Sequence, residues 1–223
     1  MLPLWDTQPH HRAPVMTALI IAGCLGVFVY EVVLLMQSEG AFATWMTQHA
    51  LVPSRMLANW SDPVQWGTVA SSMFLHGGVA HVLGNCWFLW VFGNNVEDRL
   101  GSFGFLLFYL ATGVAAAAAQ VAVEPGSAIP MVGASGAISG VLGAYLVFFP
   151  RAWVVSLVPW IIPILPIPAV VFLLLWFFVQ AYAGVGAFMS GATGAGGVAW
   201  FAHAGGFAAG VALALMMPRA SRR

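Results

Sequence analysis

Lysine is missing altogether from this 223-residue chain, and its seven basic residues are all arginine. Charged residues of both signs make up only 6% of positions, and the formal net charge is zero. A water-soluble domain carries about four times that share of charge. With no basic face, nucleic acid is excluded as a partner. Cysteine is scarce as well. Cys24 and Cys86 both lie inside apolar runs, show no metal-ligand spacing and read as small buried residues. Hydrophobic residues fill 61% of positions, with a mean hydropathy of +0.91. A chain of this composition suits lipid rather than water, and its length suits one compact domain.

A spanning helix takes about 20 mostly apolar residues. Such runs occur at Val15–Met36, Val79–Val96, Phe103–Val123, Gly133–Phe149, Pro168–Phe188 and Val198–Met217. They predict an all-α, polytopic bundle of six transmembrane helices over residues 15–217, flanked by an N-terminal segment 1–14 and a tail 218–223. Roughly 17 residues long, the fourth run reaches about 25 Å against an apolar core of about 30 Å. One of its ends therefore begins below the membrane surface or is sheltered by neighbours. The first run, preceded by Arg12 and followed by Ala41-Phe42-Ala43, is too long for a signal core and contains Glu31, so it reads as an uncleaved span. An even number of spans puts both termini on one side. That side would hold Arg12, Arg99, Arg151, Arg219, Arg222 and Arg223, the other only Arg55, so both termini are expected in the cytoplasm.

Between the spans the loops differ in character. Residues 37–78 are rich in tryptophan and methionine but poor in charge, which predicts an amphipathic segment lying partly in the membrane. Residues 150–168 carry five prolines and cannot form one continuous helix. Residues 184–197 contain six glycines, the mark of a mobile connection.

Polar side chains inside the spans are few, and each is costly to bury in lipid. They are His81 and Asn85 in the second span, Gln120 in the third, Ser135 and Ser139 in the fourth, Gln180 in the fifth and His203 in the sixth. Glu31, near the outer end of the first, is placed to reach the interface. Ser135 begins the short fourth helix, within Gly133-Ala134-Ser135-Gly136-Ala137. N–H groups at a helix start lack partners and favour incoming negative charge. On the same helix Gly136, Gly140 and Ala144 recur every four residues, while Gly206 and Gly210 share a stripe with His203. Small-residue stripes let helices approach closely. Two such seams, each carrying one reactive group, would bring hydroxyl and imidazole into hydrogen-bond reach, the requirement for an activated serine nucleophile. His81 and Asn85, four apart on one helix face, could join the Ser135 N–H in holding an oxyanion. No acid is spaced to orient His203, which favours a Ser–His dyad over a triad.

These residues resemble the rhomboid family of intramembrane serine proteases. The likeness rests on His76-Gly77-Gly78-Val79-Ala80-His81 continuing to Asn85, on Gly93-Asn94-Asn95-Val96-Glu97-Asp98-Arg99-Leu100-Gly101, on Gly133-Ala134-Ser135-Gly136, and on His203 with Gly206 and Gly210. It extends from about Trp66 to Met217. It implies Ser135 as nucleophile and His203 as general base, then acid, with His81, Asn85 and the Ser135 backbone at the oxyanion. It also implies a bacterial cytoplasmic membrane, substrates cleaved at or near their transmembrane segments, a gate formed by the fifth helix and the loop after it, and no metal or cofactor. Two departures stand out. Where some members have arginine after the loop tryptophan, Trp66 is followed by Gly67. Where some stack a tyrosine on the catalytic histidine, this chain has Ser139. Two rival readings are a catalytically silent relative, expected to lack the serine or histidine, and a transporter or metal channel using His76, His81 and His203. A five-residue spacing sets His76 and His81 about 140° apart if both are helical.

Overall fold

The computed structural model describes residues 1–158, 162–189 and 199–217. It is mostly helical. Each predicted apolar run coincides with a helix: α1 (Val15–Gln37), α5 (Val79–Leu100), α6 (Ser102–Val123), α7 (Ser135–Phe148), α8 (Ala169–Met189) and α9 (Trp200–Met216). Two of them, α1 and α6, are long and apolar enough to cross a membrane by length and composition. Beyond the apolar core, large apolar side chains also cover the outside and several polar ones are buried. Leu19 and Val29 on α1, Trp90 on α5 and Phe178 on α8 face outward, whereas Asn85, Asn95, Thr112, Gln120 and Ser139 are buried.

The segment between α1 and α5 folds into three short helices, α2 (Glu39–His49), α3 (Pro53–Ala58) and α4 (Pro63–Ser71). Their starts follow local chemistry. Ser38 Oγ accepts the Ala41 N–H at 3.3 Å, Asp62 Oδ1 accepts that of Val64 at 2.9 Å, and Pro53 and Pro63 occupy first-turn positions where no N–H is needed. Arg55 ties the three together, donating to Gln65 Oε1 at 3.0 Å, to Ala50 O at 2.6 Å and to Thr47 O. The glycine-rich stretch falls partly outside the described residues: α8 continues to Met189, and 190–198 are not described.

A small sheet departs from the all-α expectation. Strands β1 (Leu2–Asp6), β2 (Trp153–Val158) and β3 (Ile162–Pro168) form an antiparallel sheet in the order β1-β2-β3, with Pro3 opposite Ser156 and Trp153 opposite Pro168. Prolines at 166 and 168 are tolerated because β3 is an edge strand, where a missing N–H breaks no ladder. Within the proline-rich stretch, Trp153–Val158 and Ile162–Pro168 are therefore extended and paired.

One end of the bundle is fastened by acids of the Gly93–Gly101 motif. Glu97 accepts the N–H groups of Met16 at 2.8 Å and Thr17 at 2.7 Å, which closes the start of α1. Asp98 does the same for His11 and Arg12, at 3.1 and 3.0 Å. Asp6 Oδ2 in turn accepts from Asn95 Nδ2 and from the hydroxyl of Tyr145 on α7, both at 2.7 Å. Gly101, at φ 72°, turns the chain from α5 into α6 in a conformation that favours glycine.

Burial raises the Asp6 carboxyl above the ordinary carboxylate range, against the lowering effect of its bonds to Tyr145, Gln8 and Asn95. The folded state then holds this proton more tightly than the unfolded state. Stability from this group is greatest below the ordinary carboxylate pKa and declines as pH climbs through the raised value. Thermal midpoints of wild type minus those of Asp6→Asn should fall with pH across that window. A difference that grows with pH would contradict the assignment.

Candidate active site

The central helix is α7, buried from Gly136 to Tyr145 between α5, α6 and α9. Its 14 residues span only about 21 Å at 1.5 Å per residue. The preceding loop is sewn down so that this helix starts at a fixed depth. Met131 N–H donates to Leu51 O at 2.7 Å, Ser54 N–H to Ser127 O at 3.0 Å, and Gly133 N–H to Ser72 O at 2.8 Å.

Glycine contacts explain how closely α7 meets its neighbours. A Cβ added at Gly206 would lie 2.1 Å from Gly136 O, and one at Gly210 only 2.0 Å from Gly140 O. At Gly143 it would lie 2.3 Å from Phe207 O. The backbones of α7 and α9 therefore touch, with Cα–H groups of α9 against carbonyl oxygens of α7. The sequence predicts this seam, but the structure divides it differently. The bare Cα positions of Gly136 and Gly140 face α6, where a Cβ would strike Ala116 at 2.7 Å and Thr112 at 2.3 Å. Their carbonyls, not their missing side chains, meet α9. Gly143 supplies the reciprocal opening.

This seam brings Ser135 and His203 together. His203 Nε2 lies 2.7 Å from Ser135 Oγ, and its Nδ1 lies 2.7 Å from Gln180 Oε1 on α8. At the start of α9 Gln120 Oε1 accepts the Ala202 N–H at 3.1 Å, which fixes the turn that carries the histidine. Ser139 Oγ donates to Ser135 O at 2.6 Å. The imidazole instead lies beside Trp176, at 6.0 Å between ring centroids and 36° between planes, and meets Trp200 edge-on at 6.2 Å.

His81 and Asn85 line the same cavity as Ser135 and His203, a cleft of about 660 Å³ walled by α5, α7, α8 and α9. Gly133 sits at φ 118°, and a Cβ there would lie 2.6 Å from His81 Nε2 and 3.5 Å from Asn85 Nδ2. Only glycine leaves that space open. Asn85 Nδ2 is buried with no hydrogen-bond partner among the described residues, a donor open to an acceptor. A larger cavity of about 870 Å³ lies at the opposite end of α7 and contains none of these residues.

Two residues sit otherwise than the sequence indicates. Glu31 does not reach outward; it is 2% exposed, and its Oε1 accepts the His76 N–H at 3.1 Å. A buried N–H needs an acceptor, and this one has no backbone carbonyl assigned to it. His76 precedes α5 rather than continuing it, so its ring meets that of His81 edge-on at 5.2 Å instead of pointing away. Gln180 and Gln120, legible only as costly polar residues in apolar runs, turn out to contact His203 and its helix.

The arrangement couples a hydroxyl to an imidazole whose far nitrogen is held, beside the amide donor of Asn85 in a cleft. It can pass a proton from oxygen to nitrogen and receive negative charge nearby. Comparison with known proteins places the chain in a family. The sequence profile of the Rhomboid domain matches residues 63–220. The chain is 43% identical over 82 residues to the rhomboid protease GluP of Bacillus subtilis (strain 168), covering 37% of this chain and 16% of that protein. It is 40% identical over 88 residues to the chloroplastic rhomboid-like protein 11 of Arabidopsis thaliana, covering 40% and 31%. With the chloroplastic rhomboid-like protein 9 of the same plant it shares 35% over 83 residues, covering 37% and 18%. The matched segments span less than a third of each of these relatives.

Proposed function

Because this chain belongs to the rhomboid family, we propose that it is an intramembrane serine endopeptidase that hydrolyses peptide bonds in or near the transmembrane segments of other membrane proteins. The observation that carries this reading is the 2.7 Å contact between Ser135 Oγ and His203 Nε2. Ser135 Oγ attacks the scissile carbonyl carbon while His203 Nε2 takes the hydroxyl proton. The carbonyl oxygen becomes an anion held by His81, Asn85 and the Ser135 N–H. His203 then gives its proton to the departing amine as the C–N bond breaks. Water repeats the sequence on the acyl ester, and Ser135 recovers its proton.

Residues 15–217 form the membrane domain, with α1, α5, α6, α7, α8 and α9 as its six spans and the bilayer as its solvent. Both chain termini face the cytoplasm of a bacterial inner membrane. Arg99 and Arg151 line one cavity with Thr7 and Met217, and Asp98 holds the backbone of Arg12, which supports one arginine-rich side. A helix as short as α7 leaves Ser135 below the opposite surface, where His81, Asn85, Gln180 and His203 in a mostly apolar cleft let water in. A substrate helix must unwind there to expose its carbonyl, entering beside α5 and α8. The chemistry needs no metal or cofactor.

Purified protein in liposomes should cut a single-span substrate and should continue to do so with a chelator present. Cutting that stops with the chelator would favour a metalloenzyme. His81→Ala and Asn85→Ala should each retain cleavage reduced by about 100- to 1000-fold, the usual cost of one oxyanion donor. Wild-type turnover in both would remove the oxyanion assignment and leave the dyad standing.

A further inference from the structure

Ser139 occupies the position from which a tyrosine would reach the histidine, and its hydroxyl is committed to Ser135 O at 2.6 Å. Of the acids on the spanning helices, Glu31 accepts the His76 N–H at 3.1 Å, and Glu97 and Asp98 accept N–H groups of residues 11–17. Some other group must therefore set the proton on His203. The imidazole has two ring nitrogens, and in the neutral form one is a donor and the other an acceptor. A glutamine carbonyl oxygen can only accept.

We propose that Gln180 is a positioning residue that fixes the tautomer of His203: its Oε1 accepts the Nδ1–H and leaves the Nε2 lone pair facing the Ser135 hydroxyl. This rests on the protease reading above. The two 2.7 Å contacts on opposite sides of the ring support each other, because a proton on Nδ1 requires an unprotonated Nε2, and that nitrogen is the one aimed at Ser135. The other tautomer would leave Gln180 Oε1 facing a lone pair and Ser135 facing an N–H, so the nucleophile would have no base. Trp176 lies one helical turn before Gln180 on α8 and covers the same ring, so a single helix face supplies both the acceptor and the flat wall. An amide in this place does the orienting part of a triad carboxylate's work without burying a carboxylate charge, which a low-dielectric site penalises.

Gln180→Met keeps the length of the side chain and removes the acceptor, whereas Gln180→Glu keeps an acceptor oxygen. Cleavage kinetics in liposomes should show kcat lowered by about 10- to 100-fold in Gln180→Met, by analogy with the loss of the partner that orients a metal-bound histidine. KM should stay unchanged, and Gln180→Glu should recover most of the loss. Nitrogen-15 spectra, with the His203 signals identified by their disappearance in His203→Ala, should show the Nδ1–H form in wild type and a mixture of tautomers in Gln180→Met. Wild-type kcat together with an unaltered His203 spectrum in Gln180→Met would overturn the proposal. A wild-type protein that cuts nothing would instead count against the protease reading, and the spectra would still decide whether Gln180 sets the tautomer.

Discussion

Replacing Ser135 by alanine should lower kcat for a single-span substrate by on the order of 10⁶-fold, and His203→Ala should do nearly the same. Hydroxyl and imidazole act on one proton, so removing either disables both. The double variant should therefore be no slower than either single variant, a non-additivity that independent contributions would not give. A fluorophosphonate probe, which needs an activated serine but no peptide, should label wild type and neither single variant. The 2.7 Å contact between Ser135 and His203 needs no third group to close it. Labelling should then proceed in detergent with no substrate helix present. Substantial cleavage by Ser135→Ala, or labelling that persists in it, would end the assignment of Ser135 as nucleophile.

The second large effect should come from a residue that touches no substrate. Alanine at Gly210 would place its Cβ 2.0 Å from the carbonyl oxygen of Gly140, a contact with backbone that no rotamer change relieves. Ordinary contact begins near 3.4 Å, so α7 and α9 must part by more than about 1 Å. Overpacking of this kind costs about 1–3 kcal/mol. A displacement of that size at a reacting pair costs about 100-fold in rate. Gly210→Ala should thus lower the thermal midpoint in detergent and cut turnover by at least that factor. Gly26→Ala on α1, where nothing lies within 4 Å, serves as the comparison. It should be neutral or stabilising, since alanine is the better helix residue by roughly 0.5–1 kcal/mol. Equal behaviour of the two variants would show that the seam is not tight.

The helices were legible because an apolar run of that length has few other uses, and the observed ends agree closely with the runs. The meeting of Ser135 with His203 was legible for a related reason. Glycines repeated every four residues signal close approach whatever the rest of the fold. What such a stripe does not encode is which atoms touch, so the division of Gly136 and Gly140 between Ala116 and Thr112 on one side and α9 on the other emerged only with coordinates. The sheet was hidden for a different cause. Prolines at 159, 163, 166 and 168 exclude helix but do not announce strand, and the partner of Ser156 is Pro3, far away in the chain. Glu31 and Gln180 were conspicuous as polar residues in apolar runs. Their partners, a backbone N–H and a ring nitrogen, have no sequence signature.

The sheet also bears on how the site behaves when α8 moves. Strand β3 runs directly into α8, and Ala169 N–H is bonded to Ala152 O at 2.8 Å, so that end is pinned while Gln180 stands about 16 Å farther along the axis. Such a helix works as a lever with its pivot at the sheet. A swing of about 10° there carries Gln180 roughly 3 Å, more than enough to part it from the imidazole. Any displacement of α8 that widened the cleft would therefore also loosen the hold of Gln180 on the imidazole.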